Sequence, residues 1–208
     1  MSTKNARSSR NQRREEELVA ARRPRFAPRM RVLLWGVALL ALTGIVATMM
    51  LNSRPESSSA TRPAPRFTLS DTTGHQVALS DYVGKSNVLL YFSEGAGCQS
   101  CLVQMREIEK DRAVFTRDNV TVLPIVMNSR DQITADMRAN GVTTPFLLDD
   151  GTVSSAYDTL GKGMHAGLPG HSFVLIDKHG TQRWYGEYPS MWLSPNDLLS
   201  EIQKHLPS

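Results

Sequence analysis

Cysteine is scarce in this 208-residue chain, which contains only Cys98 and Cys101. Neither a second CxxC nor an HxxxH pair accompanies them, so a zinc site with four Cys or His ligands is not supported. No cysteine lies directly after the long apolar run near the N-terminus, and we therefore expect no lipoprotein anchor there. The sequence also shows no internal repeat.

Basic residues outnumber acidic ones in residues 1–66, whereas acidic residues outnumber basic ones in residues 67–208. Residues 1–31 carry 10 Lys and Arg against 3 acids, and residues 32–66 carry 3 against 1. Residues 67–208 carry 11 against 16, a net charge of −5. The sequence pI of about 9.3 therefore reflects the N-terminal part. Charge gives no support for nucleic-acid binding, and we expect no nucleic-acid partner.

Residues 32–51 form an apolar run of 20 residues without a charge. As a helix this run spans the ~30 Å hydrocarbon layer of a membrane. Five arginines lie just before it, so the positive-inside rule predicts a cytoplasmic N-terminus and an extracytoplasmic C-terminal part. A cleaved signal peptide is the alternative, but its apolar core is usually only ~7–15 residues long. We predict a single-pass anchor in the cell membrane.

The chain divides into four predicted regions. Residues 1–31 are expected to form a disordered, basic cytoplasmic tail because they contain too little apolar material to fold. Residues 52–66, rich in Ser, Pro and Arg, are expected to be a semi-extended linker. Residues 67–208 alternate strand and helix signals, which predicts an α/β domain with a central sheet.

Several elements of that domain are predicted individually. Residues 87–93 and 120–127 are short apolar runs typical of strands buried on both faces. Residues 101–115 and 131–139 have helical spacing, and residues 153–160 indicate a further short helix. Residues 172–176 and 181–185 form a hairpin signal. A last helix begins at Pro195, with Ser194 as its N-cap, and runs to about His205.

Cys98 and Cys101 lie where a predicted buried strand meets a predicted helix. If Cys98 is the non-helical cap and Cys101 lies in the first turn, the two sulfurs can approach to disulfide distance. The free amides and the positive dipole end of the helix would then lower the pKa of the Cys98 thiol from about 8.5 and favour the attacking thiolate. This arrangement favours redox chemistry.

Three other interpretations of the Cys98 and Cys101 pair stay open at this point. A structural disulfide closing so short a loop would contribute little to stability. Half of a zinc site would lack its remaining ligands. Two independent core cysteines would fit poorly with an oxidising compartment and with the CxxC spacing.

The stretch PRFTLSDTTGHQVALSDYVGKSNVLLYFSEGAGCQSCLVQM, with PFLLDDGTVSSAY and SFVLIDKHG further on, resembles the redoxin family. This family holds the AhpC/TSA peroxiredoxins and the membrane-anchored TlpA/ResA-like thiol-disulfide oxidoreductases, and the likeness covers residues 64–205. It implies a thioredoxin-like three-layer α/β/α fold with a central mixed sheet, preceded here by the transmembrane helix. It also implies no bound cofactor and no metal.

Within this family the CxxC pair is similar to the TlpA-like branch, in which Cys98 would be the nucleophile and Cys101 the resolving cysteine of a redox-active disulfide. The PxxxT/S pattern that precedes a peroxidatic cysteine is missing, because Gly95 and Tyr91 stand at the matching positions. The expected partners are protein thiols and disulfides outside the cytoplasm. An antioxidant, peroxiredoxin-like thiol peroxidase of the AhpC/TSA type is the alternative.

The resemblance suggests two further site residues. A cis-proline normally lies three residues before the aromatic of the strand at 172–176, where this chain has Gly170, so Pro169 is the displaced candidate. A trans proline in the GLPG turn is the competing reading. Glu94 is a candidate proton acceptor for Cys101, with a solvated loop carboxylate as the alternative. His165 and His171 could complete a copper site with the two thiols, which makes a copper-binding carrier the second alternative function.

Overall fold

An exposed apolar helix begins the described part of the chain. The computed structural model describes residues 28–52, 54–161 and 166–206. Helix α1 spans Pro28–Asn52, and within it Met30–Leu51 has a mean hydropathy of 2.2 and no burial. Its length and composition suffice to cross a membrane, and a signal sequence near an N-terminus would pass the same test. The predicted disordered tail lies outside the described residues up to residue 27, and residues 28–31 belong to α1.

The second unit of the chain, Ser53–Ser208, is built on a nine-stranded mixed sheet. Its strands are β1 Glu56–Ser58, β2 Arg62–Pro63, β3 Thr68–Asp71, β4 Gln76–Ala78, β5 Asn87–Phe92, β6 Val120–Val126, β7 Leu147–Leu148, β8 Ser172–Ile176 and β9 Thr181–Glu187. The strand order is β1-β9-β8-β5-β6-β7-β3-β4, and β2 also pairs with β9. β6 runs parallel to both β5 and β7, whereas the other pairs are antiparallel.

Helices cover both faces of this sheet. They are α2 Gln99–Lys110, α3 Arg112–Arg117, α4 Arg130–Asn140, α5 Thr152–Ala156 and α6 Pro195–His205, with a short 3-10 turn at Leu79–Asp81. Buried residues of α2, α3, α4 and α6 form one core cluster, and α5 and the 3-10 turn contribute to a second cluster. The sheet therefore lies between a thick helical layer and a thinner one.

The central strand β5 shows why the apolar runs become buried strands. Leu89 and Tyr91 belong to the core under α2, whereas Val88, Leu90 and Phe92 belong to the core on the opposite face. Successive side chains of a strand point to opposite faces, so a strand covered on both sides needs a continuous apolar sequence. The prediction for residues 87–93 is confirmed by this arrangement.

Several predicted boundaries differ from the structure. The helix expected over residues 101–115 begins two residues earlier, and its C-terminal part is a separate short helix, α3. The expected helix at residues 153–160 ends at Ala156. The terminal helix is confirmed, with Ser194 accepting a hydrogen bond from the Asp197 backbone N–H.

The expected linker at residues 52–66 is partly strand. Glu56–Ser58 and Arg62–Pro63 both pair antiparallel with β9. The indole N–H of buried Trp184 donates a hydrogen bond of 2.9 Å to Ser57 Oγ. The edge of the sheet thus offers unpaired backbone groups and a buried donor, and this segment satisfies them.

Candidate active site

Cys98 caps the N-terminus of α2, at the carboxyl end of β5. Its backbone is extended, with φ −99° and ψ 93°, and its sulfur accepts a hydrogen bond of 3.3 Å from the Cys101 backbone N–H. The α-helical conformation therefore begins at Gln99, the residue after this cap. The predicted strand-to-helix junction is confirmed, with Cys98 outside the helix and Cys101 in its first turn.

The two cysteines form a disulfide across this first turn, with their Cα atoms 5.3 Å apart. Cys101 is completely buried in the core cluster under α2, whereas Cys98 is only partly buried and packs at the edge of that cluster. Cys98 is therefore the more accessible of the two cysteines. This asymmetry is what an attacking and a resolving thiol require.

The loop before Cys98 is held by one side chain from the segment that follows β6 and one from α4. Asn128 Oδ1 accepts a hydrogen bond of 2.8 Å from Ala96 N–H, and Asp136 Oδ2 accepts one of 2.8 Å from Gly97 N–H. Gly95 has a positive φ of 70°, and a Cβ there would lie 2.1 Å from Asn128 Oδ1. Only glycine fits this close approach, so the position of Cys98 depends on Gly95.

A buried polar pair lies against Cys101. The hydroxyl of Tyr91 donates a hydrogen bond of 3.2 Å to the Cys101 carbonyl and lies 3.2 Å from His171 Nδ1. The two rings meet edge to face, with centroids 5.1 Å apart, and Tyr91 also stacks on Phe173. Strand register explains the contact, because Tyr91 pairs with Phe173 and His171 lies two residues before Phe173, on the same face.

Burial sets the ionisation of this pair. Desolvation raises the pKa of Tyr91 well above its ordinary value, so its hydroxyl keeps its proton. Desolvation also lowers the pKa of His171 to about 4, so the imidazole is neutral at physiological pH. The site therefore combines a neutral hydroxyl and a neutral imidazole with an oxidised cysteine pair.

Two predicted site residues occupy less direct positions. Glu94 is half-buried and begins the loop that leads to Cys98, and its role as a proton acceptor stays a prediction. Pro169 is buried and forms an isolated bridge with Leu160. None of the peptide bonds of the described residues is cis, so the bond before Pro169 is trans and the cis geometry implied by the resemblance is not found.

The displacement of Pro169 has a clear origin in the strand register. β8 begins with Ser172 opposite Phe92, so Pro169 lies three residues before the first paired residue. The side chain that contacts the Tyr91 hydroxyl is that of His171, two residues further along the chain. Any role of Pro169 in the site stays a prediction.

The described residues also bear on the copper hypothesis. Among residues 28–52, 54–161 and 166–206, no group of three His, Cys, Asp or Glu side chains is placed to hold a metal ion. His165, one of the two histidines in that hypothesis, lies outside the described residues.

Three residues of the site were not found from the sequence. A weak signal for Tyr91 is present in the sequence, because Tyr91 carries a hydroxyl in an otherwise apolar strand. A buried hydroxyl needs a hydrogen-bond partner. Asn128 and Asp136 gave no signal, since they approach the Cys98 loop across 32 and 39 residues of sequence. His171 was singled out only as a copper ligand.

The curated proteins similar to this chain include proteins named as peroxiredoxins and as thiol-disulfide oxidoreductases. A putative peroxiredoxin of Mycobacterium tuberculosis is 32% identical over 100 residues, which is 48% of this chain and 63% of that protein. The thiol-disulfide oxidoreductase ResA of Bacillus subtilis is 32% identical over 105 residues, 50% of this chain and 58% of that protein. ResA of Geobacillus kaustophilus is 28% identical over 148 residues, 69% of this chain and 79% of that protein. The chain thus spans less than two thirds of the first two relatives.

Solved structures confirm the thioredoxin-like fold. A reduced 2-Cys peroxiredoxin of Plasmodium vivax aligns with a TM-score of 0.62 at 23% identity, covering 71% of this chain and 96% of that chain. A putative protein disulfide isomerase of Bacteroides thetaiotaomicron aligns with a TM-score of 0.53 at 27% identity, covering 69% and 85%. The sequence model of the AhpC/TSA family matches residues 60–185, more than half of the chain. The chain therefore belongs to the AhpC/TSA family, as a redoxin with a CxxC disulfide.

Proposed function

We propose that this chain is a thiol-disulfide oxidoreductase that exchanges disulfides with protein thiols through Cys98 and Cys101. The observation that carries the proposal is the difference between the two sulfurs. Cys98 is partly exposed at the N-cap of α2, and Cys101 is fully buried one turn further along. Relatives named thiol-disulfide oxidoreductase support it.

The reaction begins from the reduced pair. The Cys98 thiolate attacks a substrate disulfide, forms a mixed disulfide and releases one substrate thiolate. Cys101 then loses its proton and attacks the Cys98 sulfur, which releases the second substrate thiol and forms the disulfide of this structure. The N–H of Cys101 lies 3.3 Å from the Cys98 sulfur, and together with the helix dipole it favours the Cys98 thiolate.

Trapping of the mixed disulfide tests this proposal. In the full chain with Cys101→Ser, the intermediate on Cys98 cannot be resolved, and covalent adducts with protein partners should accumulate. Cys98→Ser is the matched control and should trap none, because the remaining thiol is buried. The proposal fails if Cys101→Ser traps no partner and the unmodified chain does not reduce the disulfides of insulin.

A thiol peroxidase is the second candidate, and the relative named as a putative peroxiredoxin favours it. In that case Cys98 would be oxidised by a peroxide and Cys101 would resolve the product. Consumption of hydrogen peroxide that needs Cys98, at a rate exceeding insulin reduction, would establish this candidate in place of the first.

We further propose that α1 anchors the chain in the cell membrane, with the cysteine pair on the extracytoplasmic side. The exposed apolar stretch Met30–Leu51 supports the anchor, and the arginines before it support the orientation. An oxidising compartment would also maintain the disulfide seen here. Protease added to intact cells should digest the redox domain, and a protected domain would refute the orientation.

A further inference from the structure

His171 carries a buried nitrogen that the rest of the site does not use. Its side chain is 1% exposed, and within the described part of the chain Nε2 is buried without a hydrogen-bond partner. Leaving a buried polar atom unpaired costs about 1–3 kcal/mol. Such an atom is uncommon in a folded protein and calls for an explanation.

The hydrogen bonds of Tyr91 fix the state of this ring. A hydroxyl has one proton, and the Tyr91 hydroxyl donates it to the Cys101 carbonyl at 3.2 Å. With the proton on that side, we assign the 3.2 Å contact between Tyr91 and His171 Nδ1 as a hydrogen bond donated by Nδ1–H. The neutral ring has one proton only, so Nε2 is left as a free base.

Among the described residues, the His171 ring makes its aromatic and hydrogen-bond contacts with neutral groups. Tyr91 of β5 and Phe173 of β8 contact the ring, and the backbone N–H of Tyr188 after β9 donates to the His171 carbonyl. Burial raises the pKa of Tyr188 to about 12, so Tyr188 is neutral. Glu187 neighbours the preceding Gly170 but, by strand alternation, lies on the opposite face of the sheet.

Two further titratable elements lie at this end of β5. The cysteines at the start of α2 are linked to the ring through Tyr91, and they carry no charge while they form a disulfide. Glu94 begins the loop after β5 and is half-buried. Reduction creates a thiolate on Cys98, the N-cap of the helix whose first turn Tyr91 contacts through the Cys101 carbonyl.

Building on the thiol-disulfide exchange proposed above, we propose that His171 is a positioning residue of the cysteine pair. Through the Tyr91 hydroxyl it fixes the first turn of α2, and its free Nε2 takes up a proton when the Cys98–Cys101 disulfide is reduced. The lowered pKa of the oxidised state supports the idea, since an unprotonated ring is required beforehand.

The proton balance of this step is complete. A partner dithiol supplies two electrons and two protons, the Cys98–Cys101 bond breaks and a disulfide forms on the partner. One proton stays on the Cys101 sulfur and the other goes to His171 Nε2, so the imidazolium offsets the charge of the Cys98 thiolate. When the reduced pair then reduces a substrate disulfide, Cys101 and His171 return these protons to the two released thiols.

Alkylation of the reduced full chain in detergent, followed across about pH 5 to 9, tests the proposal. Iodoacetamide reports on the Cys98 thiolate, because Cys101 is buried. His171→Asn keeps a donor near Nδ1 but lacks the base, and Tyr91→Phe removes the connecting hydroxyl. His179→Asn, on the exposed turn between β8 and β9, is the control.

We expect His171→Asn and Tyr91→Phe to slow alkylation about tenfold near pH 6, as a rise of about one in the pKa of Cys98 would give. Their rates should meet that of the unmodified chain at alkaline pH, and His179→Asn should match it throughout. A merely structural role would lower the rate equally at every pH. That result, or an unchanged profile of either variant, overturns the proposal.

A second measurement serves if the variants do not fold. In the unmodified chain labelled with 15N-histidine, the pKa of His171 should be higher in the reduced state than in the oxidised state, and an equal pKa in both overturns the proposal. Neither experiment needs a protein substrate. A negative result for His171 can therefore be distinguished from a lack of exchange activity, which the trapping experiment measures separately.

Discussion

Replacement of Gly95 by alanine should destabilise the domain through the loop that positions Cys98. The backbone of Gly95 is left-handed, at φ 70°, which costs an L-residue about 1–2 kcal/mol. The added Cβ would lie 2.1 Å from Asn128 Oδ1 and 2.6 Å from Val126 Cγ1. Val126 is fully buried in β6, so Asn128 must move and give up its hydrogen bond to Ala96 N–H.

The loss of that hydrogen bond adds about 1–3 kcal/mol, because a partly buried donor is left without its acceptor. We therefore expect Gly95→Ala to lower the free energy of unfolding by about 2–5 kcal/mol. Gly84 is the matched control, since its φ is 79° but a Cβ there would meet nothing within 4 Å. Gly84→Ala should lower the free energy of unfolding only by the cost of a left-handed backbone, about 1–2 kcal/mol.

Urea unfolding of the full chain in detergent, followed by tryptophan fluorescence, measures the difference, because fully buried Trp184 reports on the core. Gly95→Ala should also change the rate at which the disulfide is reduced, whereas Gly84→Ala should not. Equal unfolding energies for the two variants would show that Asn128 is not held by the loop. The account of how Cys98 is positioned would then be wrong.

Two further predictions concern Ser57 and His171. Ser57→Ala should lower the unfolding free energy by about 1–3 kcal/mol, because the indole N–H of buried Trp184 loses its acceptor. Urea unfolding checks it, and an effect no larger than that of Ser58→Ala on the exposed neighbour would contradict it. Because burial lowers the pKa of His171 to about 4 in the folded state, the unfolded state binds the proton first as pH falls below about 6.5. The oxidised chain should therefore lose up to about 3 kcal/mol between pH 6.5 and 4, and an equal loss in His171→Asn would contradict the assignment.

The elements that the sequence predicts well are those whose signal is local. The continuous apolar run of β5 and the cap formed by Ser194 depend on neighbouring residues, and both are seen in the structure. The place of Cys98 at a strand-to-helix junction follows from the same local patterns. These patterns determine where each cysteine lies along the chain.

The elements that the sequence misses depend on contacts between distant residues. β1 and β2 are polar segments, and they become strands because the edge of β9 is available to them. The approach of His171 to Tyr91 depends on the register between β5 and β8, which no short motif encodes. A shift of one residue would place a different side chain beside Tyr91.

The surroundings of the Cys98 sulfur are among the observations that support the disulfide exchange proposed above. Exchange needs one accessible thiolate and one buried thiol within reach of it, and the cap geometry supplies both. Efficient peroxide reduction also needs donors that bind and polarise the peroxide oxygens beside the attacking sulfur. The donor that the described residues direct at this sulfur is the Cys101 N–H, and the Tyr91 hydroxyl is directed at the Cys101 carbonyl instead.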